Sequence, residues 1–199
     1  MLNRIKVVIT AAVLLGGVSA SQASVIINVE QVGSNIVATG SGTLNINGLS
    51  SIDTGGYQSK GAIQPGYGFL IFGNGSSYVP VAGWEISQGP VAFGSDLSVF
   101  LNADTGNGSV FGIAGSGWTT GHSTLFTPVG YTSGSLLSSS STWNNQTYDT
   151  MKATLGTYKW TWGSEVNADS LTLNIGPAAP TAVPEPSTFA LLSNFNLSA

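Results

Sequence analysis

Near the end of the chain, two short runs alternate so strictly that only extended backbone suits them. Tyr158, Trp160 and Trp162 stand at i, i+2 and i+4, with Lys159 and Thr161 between them. Leu171, Leu173 and Ile175 alternate with Thr172 and Asn174 in the same way. Successive side chains of a strand point to opposite faces, so each run carries one apolar and one polar face. The connecting residues 163–170 predict a hairpin.

The same grammar runs back to Ser24. Residues 25–32 and 35–39 are β-branched and apolar, and Gly33-Ser34 between them predicts a hairpin with a type II′ turn, since glycine takes φ > 0 without steric cost. Residues 43–47 alternate, with Leu44 and Ile46 on one face, which predicts a third strand and an antiparallel meander. A short apolar run at 67–72 suits a buried strand, and 79–86 predicts another, with Pro80 pointing to an edge or an early bulge. Residues 97–101 and 110–114 flank the Asp, Asn and Gly of 102–109, which predicts a second hairpin. A further strand over 124–127 ends at Pro128, the serine-rich 133–141 reads as a surface loop, and 143–155 is the one stretch open to a short helix. About ten short strands with near-regular turn signals predict a single all-β domain, an antiparallel β-sandwich of jelly-roll-like form. The absence of an exact internal repeat argues against a propeller or solenoid.

The two ends obey other rules. Arg4 and Lys6 precede an apolar run at 7–18 and small residues through Ala23, the three regions of a secretory signal peptide. Cleavage is expected after Ala23, with Ser21 at −3; a cut after Ala20 also fits. That run is short for a membrane span. The domain then covers 24–176, and a Pro/Ala linker covers 177–183. In Val183-Pro184-Glu185-Pro186-Ser187, two prolines fix two φ angles and remove two backbone donors, so the segment joins neither a helix nor a central strand.

Residues 183–192, VPEPSTFALL, resemble the start of the PEP-CTERM sorting signal of exported bacterial proteins. In that family Pro184, Glu185 and Pro186 would form the motif processed by an exosortase, followed by a membrane helix and an Arg-rich tail. Here residues 193–199 are polar and hold no Arg or Lys, so 184–199 is read as a truncated or atypical signal lacking the helix and the basic tail. Residues 156–163 and 169–176 also resemble the closing hairpin of a recurrent group of PEP-CTERM proteins, where it precedes the proline spacer directly. The resemblance implies export through the general secretory route, with signal peptidase and an exosortase as processing partners. It implies a secreted or cell-surface location and a structural or adhesive matrix role beside exopolysaccharide. No stable membrane span is expected in the mature chain. The family brings no catalytic residues to carry over.

Charge bounds the partners. Charged residues are 7% of the chain, far below the usual quarter of a soluble domain. After leader cleavage Lys60, Lys152 and Lys159 stand against nine acids, a net −6, which leaves no basic cluster to bind phosphates and excludes nucleic acid. Without cysteine there is no disulfide and no thiolate metal site.

Chemistry is sparse. His122 is the single histidine, and its neighbour Ser123 would point the other way on a strand, so a surface or loop role is favoured over general-base work. The nine acids are scattered, and no pair is promoted as a glycosidase dyad. Asp104-Thr105-Gly106-Asn107-Gly108 has no ligand at the third position of a calcium loop and reads as a turn. No enzyme activity, cofactor or metal is expected. Tyr158, Trp160 and Trp162 fit either a core or a carbohydrate-stacking platform, and the latter would make the chain a secreted carbohydrate-binding module.

Overall fold

The alternation at the end of the chain is realised as two adjacent strands of a two-layer β structure. The computed structural model describes residues 24–75, 77–118 and 121–177; the leader, Ala23 and the Pro184-Glu185-Pro186 motif lie outside them. The strands are β1 (Ser24–Val32), β2 (Asn35–Thr43), β3 (Ser51–Ser59), β4 (Ala62–Gln64), β5 (Phe69–Phe72), β6 (Val79–Ile86) and β7 (Leu101–Asn102). They continue with β8 (Thr105–Gly108), β9 (Phe111–Ala114), β10 (Ser123–Pro128), β11 (Leu136–Trp143), β12 (Gly156–Trp162) and β13 (Asp169–Ile175). Single 3-10 turns sit at Pro65–Tyr67 and Glu165–Asn167.

One sheet has the order β12-β13-β1-β2-β11-β8 and the other β3-β6-β10-β9-β5-β4-β7. All neighbours are antiparallel except β1 and β13, the first and last described strands, which run parallel from Ser24↔Ser170 to Val29↔Ile175. The core lies between the sheets. Val25, Ile27, Trp160, Leu171 and Leu173 of the first meet Leu70, Phe72, Phe111 and Leu125 of the second, all fully or nearly fully buried. This is the expected all-β sandwich.

The Gly33-Ser34 turn forms as expected, with Gly33 at φ +62° and Val32 paired with Asn35. The predicted buried strand is β5, and β12 with β13 make the closing hairpin. Pro80 sits at the start of β6, which lies inside its sheet, and the bulge is in the partner: β3 shifts register between Asp53 and Tyr57. The Asp53 carboxylate accepts the N–H groups that this shift frees, from Gly55 at 2.6 Å, Gly56 at 2.5 Å and Tyr57 at 3.4 Å. These bonds hold its pKa below the usual carboxylate value, Gly55 being the main cause.

Four expectations are corrected. Residues 44–47 do not form a strand and the meander stops at β2, because side chains capture the backbone that a ladder would use. Leu44 N–H donates to Tyr131 Oη at 2.9 Å, Asn45 N–H to Asp169 Oδ2 at 2.5 Å and Ile46 N–H to Ser133 Oγ at 3.0 Å. Leu44 and Ile46 still face the core, and the chain crosses to the other sheet.

The hairpin expected around 102–109 is absent. Its turn-forming residues become β8, the edge of the first sheet, where Gly106 pairs with Ser141 and Gly108 with Ser139, while β7 and β9 belong to the second sheet. The serine-rich stretch is a turn only over 133–135, and from Leu136 it is β11, inside the first sheet. Ser139 and Ser141 are buried, since a small hydroxyl fits where the layers converge; Ser141 Oγ accepts Gly73 N–H at 2.9 Å and Ser139 Oγ donates to Ser109 O. Finally, 143–155 holds no helix. Met151 N–H donates to Thr147 O and Ala153 N–H to Tyr148 O, both at 3.0 Å, and the turn ends at Lys152 with φ +57°.

Candidate functional site

The aromatic row of β12 points inward. Trp160 is 0% exposed, Trp162 is 5% exposed, and Tyr158 is half-buried against Phe93, with ring centroids 5.8 Å apart. Each polar end is satisfied: Trp160 Nε1 donates to Pro90 O at 3.2 Å, Trp162 Nε1 to Asn45 O at 2.7 Å and Tyr158 Oη to Thr154 O at 3.0 Å. The platform reading of Tyr158, Trp160 and Trp162 is therefore corrected: these rings are core, because Leu171 and Leu173 of β13 lie beside them and continue the same buried face.

A different set of aromatics lies on the far face of the seven-stranded sheet. There Phe69, Ile71, Val81 and Phe126 are buried under Tyr57, Tyr67, Val79 and Trp118. Trp118 lies 5.6 Å from Phe69 and 5.5 Å from Phe126 between centroids, and half-exposed Phe100 lies 6.2 Å from Phe69. Sequence reasoning missed this cluster. Its signal was the uninterrupted apolar run of β5, which calls for cover on both faces.

The outer face of the six-stranded sheet is the opposite case. Along each strand the residues between the core positions carry hydroxyls and amides, and register aligns them across the sheet. Thr157 pairs with Asn174, Asn174 with Asn28, Asn28 with Thr39, Thr39 with Ser140, and Ser140 with Asn107. The result is one continuous polar row over all six strands. Thr157 Oγ1 donates to Asn174 Oδ1 at 2.9 Å, and Asn174 Nδ2 donates to Asn28 Oδ1 at 3.0 Å. A second row, Lys159, Thr172, Ile26, Ser41 and Ser138, runs beside it. Between the rows lies an open trough of about 650 Å³ that reaches from Ile26 and Asn28 to Asn107.

Acid–base chemistry finds no assembly among the described residues. No group of three or more His, Cys, Asp or Glu is placed to hold a metal ion. His122 is half-buried just before β10. Asp104 Oδ2 accepts Asn144 N–H at 2.7 Å and so pins the end of β11. Asp169 alternates with Leu171 on the inward face and is 5% exposed; burial raises its pKa, against the lowering by the N–H groups of Asn45 and Ser170. It acts as a backbone acceptor at a crossover.

No helix of the described residues is long and apolar enough to cross a membrane. No family model, curated protein or solved structure matches this chain.

Proposed function

We propose that this chain is an exported bacterial surface or extracellular-matrix protein, structural or adhesive in role and associated with exopolysaccharide. The observation that carries this reading is the six-strand-wide row of uncharged hydrogen-bonding side chains. On a chain with 7% charged residues, such a row favours partners that bind through many neutral hydroxyl contacts over partners recruited by charge. The signal-peptide pattern ending at Ala23 and the Pro184-Glu185-Pro186 motif support export and sorting by signal peptidase and an exosortase.

The test is the intact mass of the protein from separated medium, periplasm and membrane fractions of its host, with polysaccharide co-fractionation in parallel. A species beginning near Ser24, ending near Pro184 to Pro186 and sedimenting with polysaccharide is the expected result. Unprocessed protein retained in the cytoplasm would refute the reading.

A secreted carbohydrate-binding module is the second reading. It has lost the β12 row as its platform. What favours it is half-exposed Phe100 beside the Trp118 cluster, a ring open to stacking on a sugar face.

A further inference from the structure

The geometry points to the outer face of the six-stranded sheet as a binding face for an uncharged polysaccharide, laid across the strands along the row Thr157, Asn174, Asn28, Thr39, Ser140 and Asn107. This inference rests on the matrix reading above and names its ligand class and its site.

Spacing is the first argument. Neighbouring strands lie about 4.8 Å apart, so the row offers a polar side chain at about every 4.8 Å over about 24 Å. That interval is close to the length of one pyranose unit in an extended glycan, so successive sugars meet successive strands. The direction is therefore across the sheet, since along a strand the outward positions fall on every second residue, a wider interval.

Chemistry is the second. A sugar presents hydroxyls that both donate and accept, and so do Thr, Ser and Asn side chains. The bonds from Thr157 to Asn174 and from Asn174 to Asn28 fix one end of the row, so less side-chain entropy is lost when a ligand arrives. Asn28 Nδ2, Thr39, Ser140 and Asn107 Nδ2 remain to face it, while Asn107 Oδ1 accepts Gly108 N–H at 2.6 Å. Ile26, 49% exposed in the neighbouring row, gives an apolar spot for the C–H face of a ring.

Charge is the third. This face carries Lys159 and Glu30, one of each sign, at different ends. Such a balance recruits neither a polyanion nor a polycation. A second copy of this chain is the poorer occupant, because a stable protein interface has an apolar centre and this trough has Ile26 alone.

The experiment is affinity electrophoresis of the purified protein, residues 24–199, in gels containing dextran, hydroxyethyl cellulose or the host's own exopolysaccharide, with alginate as the polyanion comparison. The variants are the double substitution Thr39→Arg with Ser140→Arg, which fills the trough, Asn28→Ala, which removes its central amide, and Phe100→Ala on the other sheet. Far-UV circular dichroism and thermal unfolding show that each variant is folded.

The expected result is retardation by at least one uncharged polysaccharide, weakened roughly tenfold or more by the double variant and several-fold by Asn28→Ala, with Phe100→Ala unchanged. No retardation of the wild type by any of these polysaccharides overturns the inference together with the reading on which it rests. Retardation that the trough variants leave intact, or that Phe100→Ala abolishes, overturns the inference alone. So does stronger retardation by alginate, or a mass doubled in light scattering that the double variant returns to one chain.

Discussion

Lys159 and Trp160 are neighbours in the chain, yet the fold assigns them opposite fates, and truncating each in turn measures the difference. Trp160 is fully buried and its indole N–H is bonded to Pro90 O. Trp160→Ala removes a large ring from a packed site and leaves a cavity that β13 cannot collapse into, because Leu171 and Leu173 are held by ladders on both sides. Truncations of this kind cost about 3–5 kcal/mol. For a domain of this size that is about 6–20 °C in Tm, and a large part of a total stability of about 5–15 kcal/mol. Lys159→Ala, on the exposed face, is expected within about 0.5 kcal/mol of the wild type. Gly89→Ala approaches the same packing from the other side: Gly89 has φ +151°, and a Cβ there would run into the Trp160 ring. Urea unfolding followed by far-UV circular dichroism gives all three differences without relying on tryptophan fluorescence. Equal costs for Lys159→Ala and Trp160→Ala, or a cost below about 1 kcal/mol for Trp160→Ala, would refute the inward row and restore the exposed platform.

Three further outcomes are expected. Tyr131→Phe removes the acceptor of Leu44 N–H and the donor to Ser135 O, and lowers stability by about 1–3 kcal/mol in denaturant titration; a neutral result would mean that water replaces the hydroxyl. Ser141→Ala strands the buried Gly73 N–H and carries a similar cost of about 1–3 kcal/mol, whereas outward-facing Ser138→Ala is expected to change Tm little. Asp169 has a folded pKa raised by burial, so the folded state holds its proton more tightly than the unfolded state does. Relative to Asp169→Asn, the wild type loses stability as pH rises from the unfolded carboxylate range, about 3.9, through the raised folded pKa; a wild type that gains on the variant over that window would reverse the assignment.

Strict alternation made β12 and β13 legible, because their inward residues are large and their outward ones polar, and the β-branched runs on either side of Gly33-Ser34 made the first hairpin legible. Composition misled where tertiary pairing overrode it. β11 reads as a loop because serine has no strong strand preference, yet β2 and β8 pair with it on both sides and its inward serines fill a narrow gap that a larger residue would not. Residues 44–47 alternate as a strand does, but side chains up to 124 residues away take their N–H groups. The candidate site was half legible. β12 and β13 announced an outward polar face, but β8 and β11 read as turn and loop; the row exists only once β13 is set beside β1, and no local pattern announces a pairing between residues 28 and 174.

That pairing also decides how the domain carries mechanical load. β1 leaves the Ser24 end of the sheet and β13 leaves the Ile175 end, and six register pairs join them side by side. A pull applied to the chain before Ser24 and after Ile175 drives the two strands along their own axes in opposite directions. The load is then shear, shared by the whole ladder, whose bonds must yield together. In a hairpin such as β12 and β13, the same force would open bonds one after another from the free end. A domain stretched between a surface and a network through its two ends would therefore resist by its strongest direction, with the terminal strands as the clamp.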